Sequence, residues 1–340
     1  MGNPLLEINN LKTHFQTQDG KITVVDGLSL KVTQGEILGV VGESGCGKSV
    51  TFQSVLRLFD NDRNASHEGK INFKGNNLFD LKENQMQSIR GKEISMIFQD
   101  PLSSFNPVHT IGRQISEVIM LHKKQSKTEA HKKSIEMLRL TGIPSPEKRA
   151  NQYPHQLSGG MLQRAMIAMA LSCDADLLIA DEPTTALDVT IQLQLLNLIQ
   201  RLNSELDMGI ILITHDLGVI AEMCSRVVVM YLGQIVEESS TDLLFEKPLH
   251  PYTKGLMKSI PLLDGDRTKK LYTIKGTVPS MNNVPNGCRF ASRCPYATEL
   301  CHKQEPQLEM YKGRKVRCWH VDSINNENWN YEKEEDKIEL

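Results

Sequence analysis

The chain has 340 residues, of which 39% are hydrophobic and 24% are charged, and its formal net charge is −2. This composition is typical of a folded globular protein and excludes an intrinsically disordered one. The near-neutral charge argues against nucleic acid as a partner, because neutralising phosphates requires a basic surface. The first ten residues lack the basic and apolar regions of a signal peptide, and no apolar run approaches about 20 residues. We therefore expect neither a signal peptide nor a membrane span.

Residues 5–34 alternate between apolar and polar side chains, and Asp19-Gly20 predicts a hairpin between two antiparallel strands. The next segment, "GEILGVVG" (35–42), is almost continuously apolar, which is typical of a parallel strand buried on both faces. Similar segments recur at "ADLLIAD" (175–181) and "GIILIT" (209–214). Strands that alternate with helices predict a doubly wound α/β core.

The remaining segments divide the chain into regions. Residues from about 100 to 158 are polar and have helical periodicity, which predicts a helical subdomain within a first domain at 1–240. Antiparallel pairing returns at "RVVVMYLGQIVEE" (226–238), with the turn expected at Gly233-Gln234. Proline and glycine then become frequent, so we expect a small cysteine-bearing extension at 241–325 and an acidic tail at 326–340.

The segment "GESGCGKS" (42–49) follows a buried strand and precedes a helix. Its glycines allow backbone N–H groups to surround phosphates, and the helix N-terminus adds positive potential. Lys48 is predicted to reach the β- and γ-phosphates, and the Ser49 hydroxyl to bind Mg²⁺. The predicted nucleotide contacts in this segment are Gly42, Ser44, Gly45, Cys46, Gly47, Lys48, Ser49 and Val50.

Two carboxylates end the strand in "LLIADEP" (177–183). Asp181 is positioned to hold Mg²⁺ through water. Glu182 could polarise the water that attacks the γ-phosphate, because successive side chains of a strand point in different directions. Acidic strand ends are common by themselves, and the prediction depends on the phosphate loop earlier in the chain.

The segment "QLSGGMLQR" (156–164) opens an apolar helix. Ser158 and the N–H groups of Gly159 and Gly160 would form a second anion site at a helix N-terminus. By itself the segment is also explained as a capped helix with a Gly-Gly turn.

In this order the three motifs resemble the nucleotide-binding subunits of ATP-binding cassette (ABC) transporters, over residues 5 to about 240. The resemblance implies a P-loop NTPase fold with an antiparallel β subdomain and a helical subdomain, and it implies ATP and Mg²⁺ as cofactors. In that family the signature helix of one subunit caps ATP held by another. Ser158, Gly159 and Gly160 would therefore act in trans.

Further positions follow from the same resemblance. Gln99 in "MIFQDP" matches the glutamine that senses Mg²⁺ and water, and Asp188 in "ALD" (186–188) matches the residue that crosses the dimer interface. His215 in "THD" matches the residue that contacts the γ-phosphate, and Phe15 the aromatic that stacks on adenine. The implied catalytic residues are Lys48, Gln99, Glu182 and His215, and the implied Mg²⁺ ligands are Ser49, Gln99 and Asp181.

One position departs from the family pattern. The signature commonly ends in Gln, whereas position 161 is Met. An apolar side chain removes one polar contact but keeps the serine and glycine donors. The pattern "SGGM…QR" is similar to the branch that imports peptides and nickel, so Met161 is interpreted as a mark of that branch.

The segments "LHPYTKGLMKSIP" (249–261) and "GTVPSMNNVPNGCRFASRCPYATELC" (276–301) resemble the C-terminal extension of oligopeptide and dipeptide permease ATP-binding subunits of the D type. This implies a translocating ATPase that energises peptide import, peripheral at the cytoplasmic face of the cell membrane. The implied partners are a second, different ATPase subunit, two transmembrane permeases and an extracellular peptide-binding protein. Import of nickel, a metal chelate or haem is the first alternative, and a soluble ABC-type ATPase is the second.

Four cysteines lie in this extension, at positions 288, 294, 301 and 318. Some members of the family carry a 4Fe–4S cluster at this place, which would make Cys288, Cys294, Cys301 and Cys318 its ligands. Arg289, Arg293 and Arg317 would then offset the negative charge of a four-thiolate cluster. Zinc and unliganded thiols remain open alternatives.

Cys46 stands apart, inside the phosphate loop. Its position near Lys48 and a helix N-terminus predicts a thiolate. We therefore expect alkylation of Cys46 to block ATP binding, and ATP to protect it.

Overall fold

The computed structural model describes residues 4–184, 187–260 and 272–326. Most of the predicted acidic tail, and Ala186 of the "ALD" segment, lie outside the described residues. Within them, the strands are β1 (Leu6–Thr17), β2 (Gly20–Val32), β3 (Ile37–Val41), β4 (Ala65–Phe73), β5 (Asn76–Asn77), β6 (Ile94–Ile97), β7 (Leu177–Asp181), β8 (Gly209–Ile213), β9 (Arg226–Tyr231), β10 (Gln234–Ser240), β11 (Glu309–Tyr311) and β12 (Arg314–Val316). The helices are α1 (Lys48–Val55), α2 (Glu83–Ile89), α3 (Ile111–Lys123), α4 (Lys127–Leu140), α5 (Pro146–Ala150), α6 (Gly159–Ala170), α7 (Val189–Leu206), α8 (Leu217–Met223), α9 (Thr241–Glu246), α10 (Pro251–Lys258), α11 (Glu299–Lys303) and α12 (Val321–Asn326).

The first sheet is antiparallel, with strand order β2-β1-β4-β5. Its β1–β2 hairpin closes at the Thr17–Gly20 pair. Alternating side chains of β1, such as Leu6 and Ile8, are fully or almost fully buried. The period-two pattern of the sequence therefore corresponds to one buried face of this sheet.

The second sheet has the order β11-β12-β10-β9-β3-β8-β7-β6 among the described residues. The strands β9, β3, β8, β7 and β6 run parallel. Every residue of β3, β7 and β8 is buried, as their continuous apolar sequences predict. The carboxyl ends of parallel strands meet at one edge, so the loops after β3, β6, β7 and β8 can build one site there.

The helices α3 to α6 pack together between β6 and β7 in the chain. The α4 N-terminus is fixed by a capping box: Ser126 Oγ accepts from the Glu129 N–H, and the Glu129 carboxylate accepts from the Ser126 N–H. This helical part carries the signature segment at its end, where Ser158 precedes α6.

The C-terminal extension is built onto the second sheet. Its hairpin β11–β12 continues the sheet beside β10, through the Glu237–Val316 pair. The fully buried carboxylate of Glu237 also accepts hydrogen bonds from the N–H groups of Leu249 and His250, both at 2.9 Å. The extension therefore shares backbone and side-chain bonds with the core.

The turn between β9 and β10 lies one residue earlier than expected. Gln234 pairs with Tyr231, which leaves Leu232 and Gly233 as the two turn residues. Both have positive φ, of 42° and 78°. A two-residue turn of this conformation matches the twist of a hairpin, and Gly233 satisfies it without strain.

Candidate active site

The phosphate loop joins β3 to α1 through two glycines that no other residue could replace without strain. A Cβ on Gly42 would lie 2.2 Å from the Met230 carbonyl oxygen, and one on Gly47 would lie 2.7 Å from that of Val24. Gly47, with φ of 95°, precedes α1 and offers no side-chain cap. The helix N-terminus is left to an external anion such as a phosphate.

Lys48 is buried and rests on the loop itself. Its Nζ donates to the carbonyl oxygens of Gly42 at 2.7 Å and Glu43 at 3.1 Å. Next to it, the Ser49 side chain lies beside Asp181 at the end of β7 and favours the ionised form of its carboxyl. Burial, and secondarily the neighbouring Glu182, raise the pKa of Asp181, although the nearby Ser49 hydroxyl and Lys48 oppose this. A hydroxyl and a carboxylate beside a phosphate site are the oxygen donors that Mg²⁺ takes.

Glu182 occupies the centre of the site. Its backbone has φ of 48°, an unusual conformation for a residue other than glycine. Gln99 Nε2 donates to Glu182 Oε2 at 3.1 Å, and His215 Nδ1 lies 3.4 Å from Glu182 Oε1. The carboxylate is 12% exposed, whereas the His215 side chain is 67% exposed and can turn toward a ligand. This geometry fits a carboxylate that accepts a proton from water.

The structure places the predicted residues of the nucleotide site in two regions, one at the second sheet and one in the first sheet. Contacts at the carboxyl edge of the second sheet join Lys48 to the loop, Ser49 to Asp181, and Glu182 to Gln99 and His215. Phe15 lies in the first sheet, half-buried, with its ring edge-to-face on Phe59 at 5.1 Å.

The segments predicted to act in trans are bonded to their own helices. Ser158 Oγ accepts from the Met161 N–H at 3.4 Å, and Asp188 Oδ1 accepts from the Ile191 N–H at 3.1 Å. Ser158, Gly159 and Asp188 are exposed. Across the described residues, no hydrogen bond or ion pair joins these segments to the phosphate loop. Their polar groups face outward, where a second molecule can reach them.

The prediction of a Cys46 thiolate is wrong. Cys46 is fully buried beneath the loop, with Sγ 3.7 Å from Lys48 Nζ. Burial raises the pKa of the Cys46 thiol, and this outweighs the opposing effect of Lys48. Proximity to a cation lowers a thiol pKa only where the thiolate keeps enough polar surroundings.

Sequence reasoning did not single out Gln163. This residue of α6 is fully buried, and its side-chain amide donates to the carbonyl oxygens of Pro183 and, at 3.4 Å, Glu182. It therefore ties the signature helix to the chain around Glu182. The signal was present: an uncharged polar residue on the apolar helix "MLQRAMIAMAL" requires a hydrogen-bond partner.

The four cysteines of the extension line one small pocket with His250, Pro251, Phe290, Ala291, Tyr296, Trp319 and His320. The His320 N–H donates to Cys318 Sγ at 3.4 Å. In the described part of the chain, no three or more His, Cys, Asp or Glu side chains are arranged to hold a single metal ion. Burial raises the pKa of Cys294 to about 11 and of Cys318 to about 12.

The arginines beside these cysteines, which the sequence predicts to offset a cluster charge, are paired with other groups of the fold. Arg293 forms an ion pair with Glu43, and Arg289 with Asp26. Arg317 donates to the Ile235 and Pro306 carbonyl oxygens and lies near Glu305. The guanidinium groups pair with carboxylates and carbonyl oxygens of the surrounding fold, because a buried guanidinium needs hydrogen-bond acceptors for its N–H groups.

Comparisons with known proteins identify the family. Residues 25–185 match the ABC transporter family, and residues 236–301 match the oligopeptide/dipeptide transporter C-terminal region. A probable peptide ABC transporter ATP-binding protein of Sinorhizobium fredii, y4tR, is 50% identical over 95% of this chain and 96% of its own. The oligopeptide transport ATP-binding protein AppD of Bacillus subtilis is 51% identical over 93% of this chain and 96% of its own.

Solved structures show the same fold. A dimeric, post-hydrolysis ATP-binding cassette bound to ADP and phosphate has a TM-score of 0.64 and 26% identity, covering 69% of this chain and 98% of that one. The cassette cbiO1 from Clostridium perfringens has a TM-score of 0.57 and 26% identity, covering 72% and 92%. The predicted α/β cassette, with its antiparallel and helical parts, is confirmed. Among the described residues, no helix has the length and apolar character of a membrane span. The chain belongs to the ATP-hydrolysing subunits of ABC transporters, in the family that carries the oligopeptide/dipeptide transporter C-terminal region.

Proposed function

We propose that this chain hydrolyses ATP to energise the import of oligopeptides or dipeptides across the cytoplasmic membrane. The observation that carries the proposal is the near-full-length identity, about 50%, to ATP-binding proteins named for peptide transport. The similarity includes the extension, which lies outside the ATP site and matches a region named for oligopeptide and dipeptide transporters. The cargo class is therefore supported by a part of the chain that ATP binding alone does not require.

In the proposed reaction, Glu182 accepts a proton from the water that attacks the γ-phosphate. Gln99 and His215 hold its carboxylate from two sides, and His215 is exposed enough to reach the γ-phosphate. When ATP binds, Lys48 exchanges its hydrogen bonds with the loop carbonyl oxygens for contacts with the β- and γ-phosphates. Phe15 stacks on the adenine, and the loop N–H groups take the phosphate oxygens.

Ser49 and Asp181 would hold Mg²⁺ next to Gln99. The donor set fits, since a hydroxyl and a carboxylate already meet there. The bound ion supplies charge neutralisation at the β- and γ-oxygens. Asp181 must be ionised for this role, and Mg²⁺ offsets the burial that favours its neutral form.

The site is completed by a second cassette. Ser158, Gly159, Gly160 and Asp188 are exposed or half-buried and carry donors or a carboxylate that their own phosphate loop does not use. Each would contact ATP held by the other cassette. We propose that this second cassette belongs to a different, related ATPase chain. Both ATPase chains would bind two transmembrane permeases, which receive peptides from an extracellular peptide-binding protein. This chain would then be peripheral at the cytoplasmic face of the membrane.

The cysteine pocket fits a 4Fe–4S cluster through its donor set. Four thiols share one pocket, and the His320 N–H donates to Cys318 Sγ at 3.4 Å, the kind of hydrogen bond to sulfur that tunes a cluster. Cys288, Cys294, Cys301 and Cys318 would bind a cluster whose role is to fix the extension.

Uptake in living cells tests the cargo. Cells that lack this chain should lose uptake of a radiolabelled tripeptide and keep uptake of the free amino acids. The wild-type chain should restore uptake, whereas Glu182→Gln should not. Normal tripeptide uptake together with lost nickel uptake would replace the peptide proposal with the metal alternative.

Anaerobic purification tests the cluster. The protein should be brown, absorb near ~400 nm through thiolate-to-iron charge transfer, and contain about four irons per chain. Cys294→Ser should lower the iron content, whereas Cys173→Ser, in the core, should not. Colourless protein without iron from this preparation would contradict the assignment.

A further inference from the structure

The C-terminal extension holds one residue of the phosphate loop directly. Glu43, the second residue of "GESGCGKS", receives both terminal nitrogens of Arg293 on its two carboxylate oxygens, at 2.6 and 3.0 Å. Its backbone N–H donates to the Tyr252 hydroxyl at 2.7 Å. Its carbonyl oxygen accepts from Lys48 Nζ at 3.1 Å. Glu43 is thus bound at three points, and two of them belong to a region more than 200 positions away.

The extension residues that bind Glu43 are buried, although the Glu43 side chain itself is 28% exposed. The Arg293 side chain is 4% exposed and Tyr252 is fully buried. Arg293 also donates to the Tyr231 hydroxyl at 3.3 Å, and the Tyr231 and Tyr252 rings pack at 4.7 Å. A bidentate pair between a guanidinium and a carboxylate fixes direction as well as distance. Moving Glu43 would leave a buried cation without its partner, which is costly.

We propose that Arg293 and Tyr252 are positioning residues for ATP binding. They hold the Glu43 peptide, and with it the start of the phosphate loop, in one conformation before ATP binds. A loop already ordered before ATP arrives loses less conformational entropy on binding. ATP affinity is thereby coupled to the extension, a role that goes beyond the residues of the nucleotide motifs.

MgATP titration of the full chain by isothermal calorimetry tests this role. Arg293→Ala should raise the Kd for MgATP about tenfold, a typical coupling between distinct regions. Arg293→Lys should recover part of the affinity, because it restores the charge but not the second hydrogen bond. In the assembled transporter, KM for ATP should rise while kcat at saturating ATP stays near the wild-type value.

Arg314→Ala is the matched control. Arg314 is equally buried in the extension, but it bonds the carbonyl oxygens of Leu243 and Lys247, away from the phosphate loop. It should lower thermal stability and leave the Kd for MgATP unchanged. A wild-type Kd in folded Arg293→Ala would overturn the proposal, as would an equal loss of affinity in Arg314→Ala.

Tyr252→Phe decides the question should Arg293→Ala fail to fold. It keeps the ring and removes only the hydroxyl that accepts from Glu43. The Kd for MgATP should rise about threefold, the effect of one buried hydrogen bond. An unchanged Kd in this variant would overturn the role of Tyr252 and the proposal with it.

Discussion

The side chains of Gln99 and Glu182 are joined by a hydrogen bond of 3.1 Å, although 83 positions separate them in the chain. On the other side of the same carboxylate, His215 Nδ1 lies 3.4 Å away. Glu182 is thus fixed between the ends of three strands, β6, β7 and β8. A carboxylate with a fixed direction and little exposure is suited to accept a proton from one bound water.

Glu182→Gln should retain ATP binding but lower turnover about a thousandfold, the contribution of a general base. It should also favour the closed dimer, because ATP is bound and not consumed. ATPase assays and size-exclusion chromatography with ATP measure the two effects. Glu205→Gln, on the exposed part of α7, is the control and should behave as the wild type. A normal rate in Glu182→Gln would show that another group is the base.

Ser158→Ala should abolish most ATPase activity and leave MgATP binding to the isolated chain unchanged, because in the proposed mechanism Ser158 contacts ATP held by the other cassette. Losing a helix N-cap also costs about 1 kcal/mol of stability. Ser126→Ala removes a similar cap from α4 and therefore separates the two effects. Equal ATPase losses in both variants would mean that Ser158 is only a cap.

Gln163→Leu should lower kcat about fivefold to tenfold at an unchanged Kd for MgATP. The substitution keeps the volume but removes the amide that links α6 to the carbonyl oxygens of Glu182 and Pro183. Gln194→Leu, on an exposed part of α7, is the control. An unchanged kcat in Gln163→Leu would show that this amide does not contribute to catalysis.

Cys46 should resist alkylation in the native chain at pH 8, with or without ATP, because its pKa is raised above the ordinary value of 9.0. In denaturant it should react quickly. Since the folded thiol has the higher pKa, its contribution to stability is intact below pH 9.0 and declines as pH rises toward the folded pKa. Mass spectrometry after iodoacetamide treatment measures the labelling. Rapid labelling that ATP prevents would restore the thiolate interpretation.

The motifs of the ATP site were predictable because each is local. A glycine loop followed by Lys48, or an apolar strand that ends at Asp181, is a short segment whose geometry follows from its own residues. The parallel strands then bring these segments to one edge, which the periodicity also predicts.

Long-range contacts had no such signal. No residue near Glu43 in the chain predicts its contact with Arg293, 250 positions away. The arginines near the cysteines were instead predicted to offset the charge of a cluster. Cys46 was misjudged for the same reason: its sequence neighbours describe a charged loop, whereas the fold buries it completely. The burial of a side chain and its hydrogen-bond partners depend on tertiary packing, which a short stretch of sequence does not specify.

The dependence of ATPase activity on protein concentration tests the central claim, that two cassettes complete each site. The specific activity of this chain, assayed with its partner ATPase, should fall toward zero as the mixture is diluted until the two dissociate. It should recover when the mixture is concentrated again. Full specific activity from the dissociated chains would contradict the account, because one chain would then hold every group that hydrolysis requires.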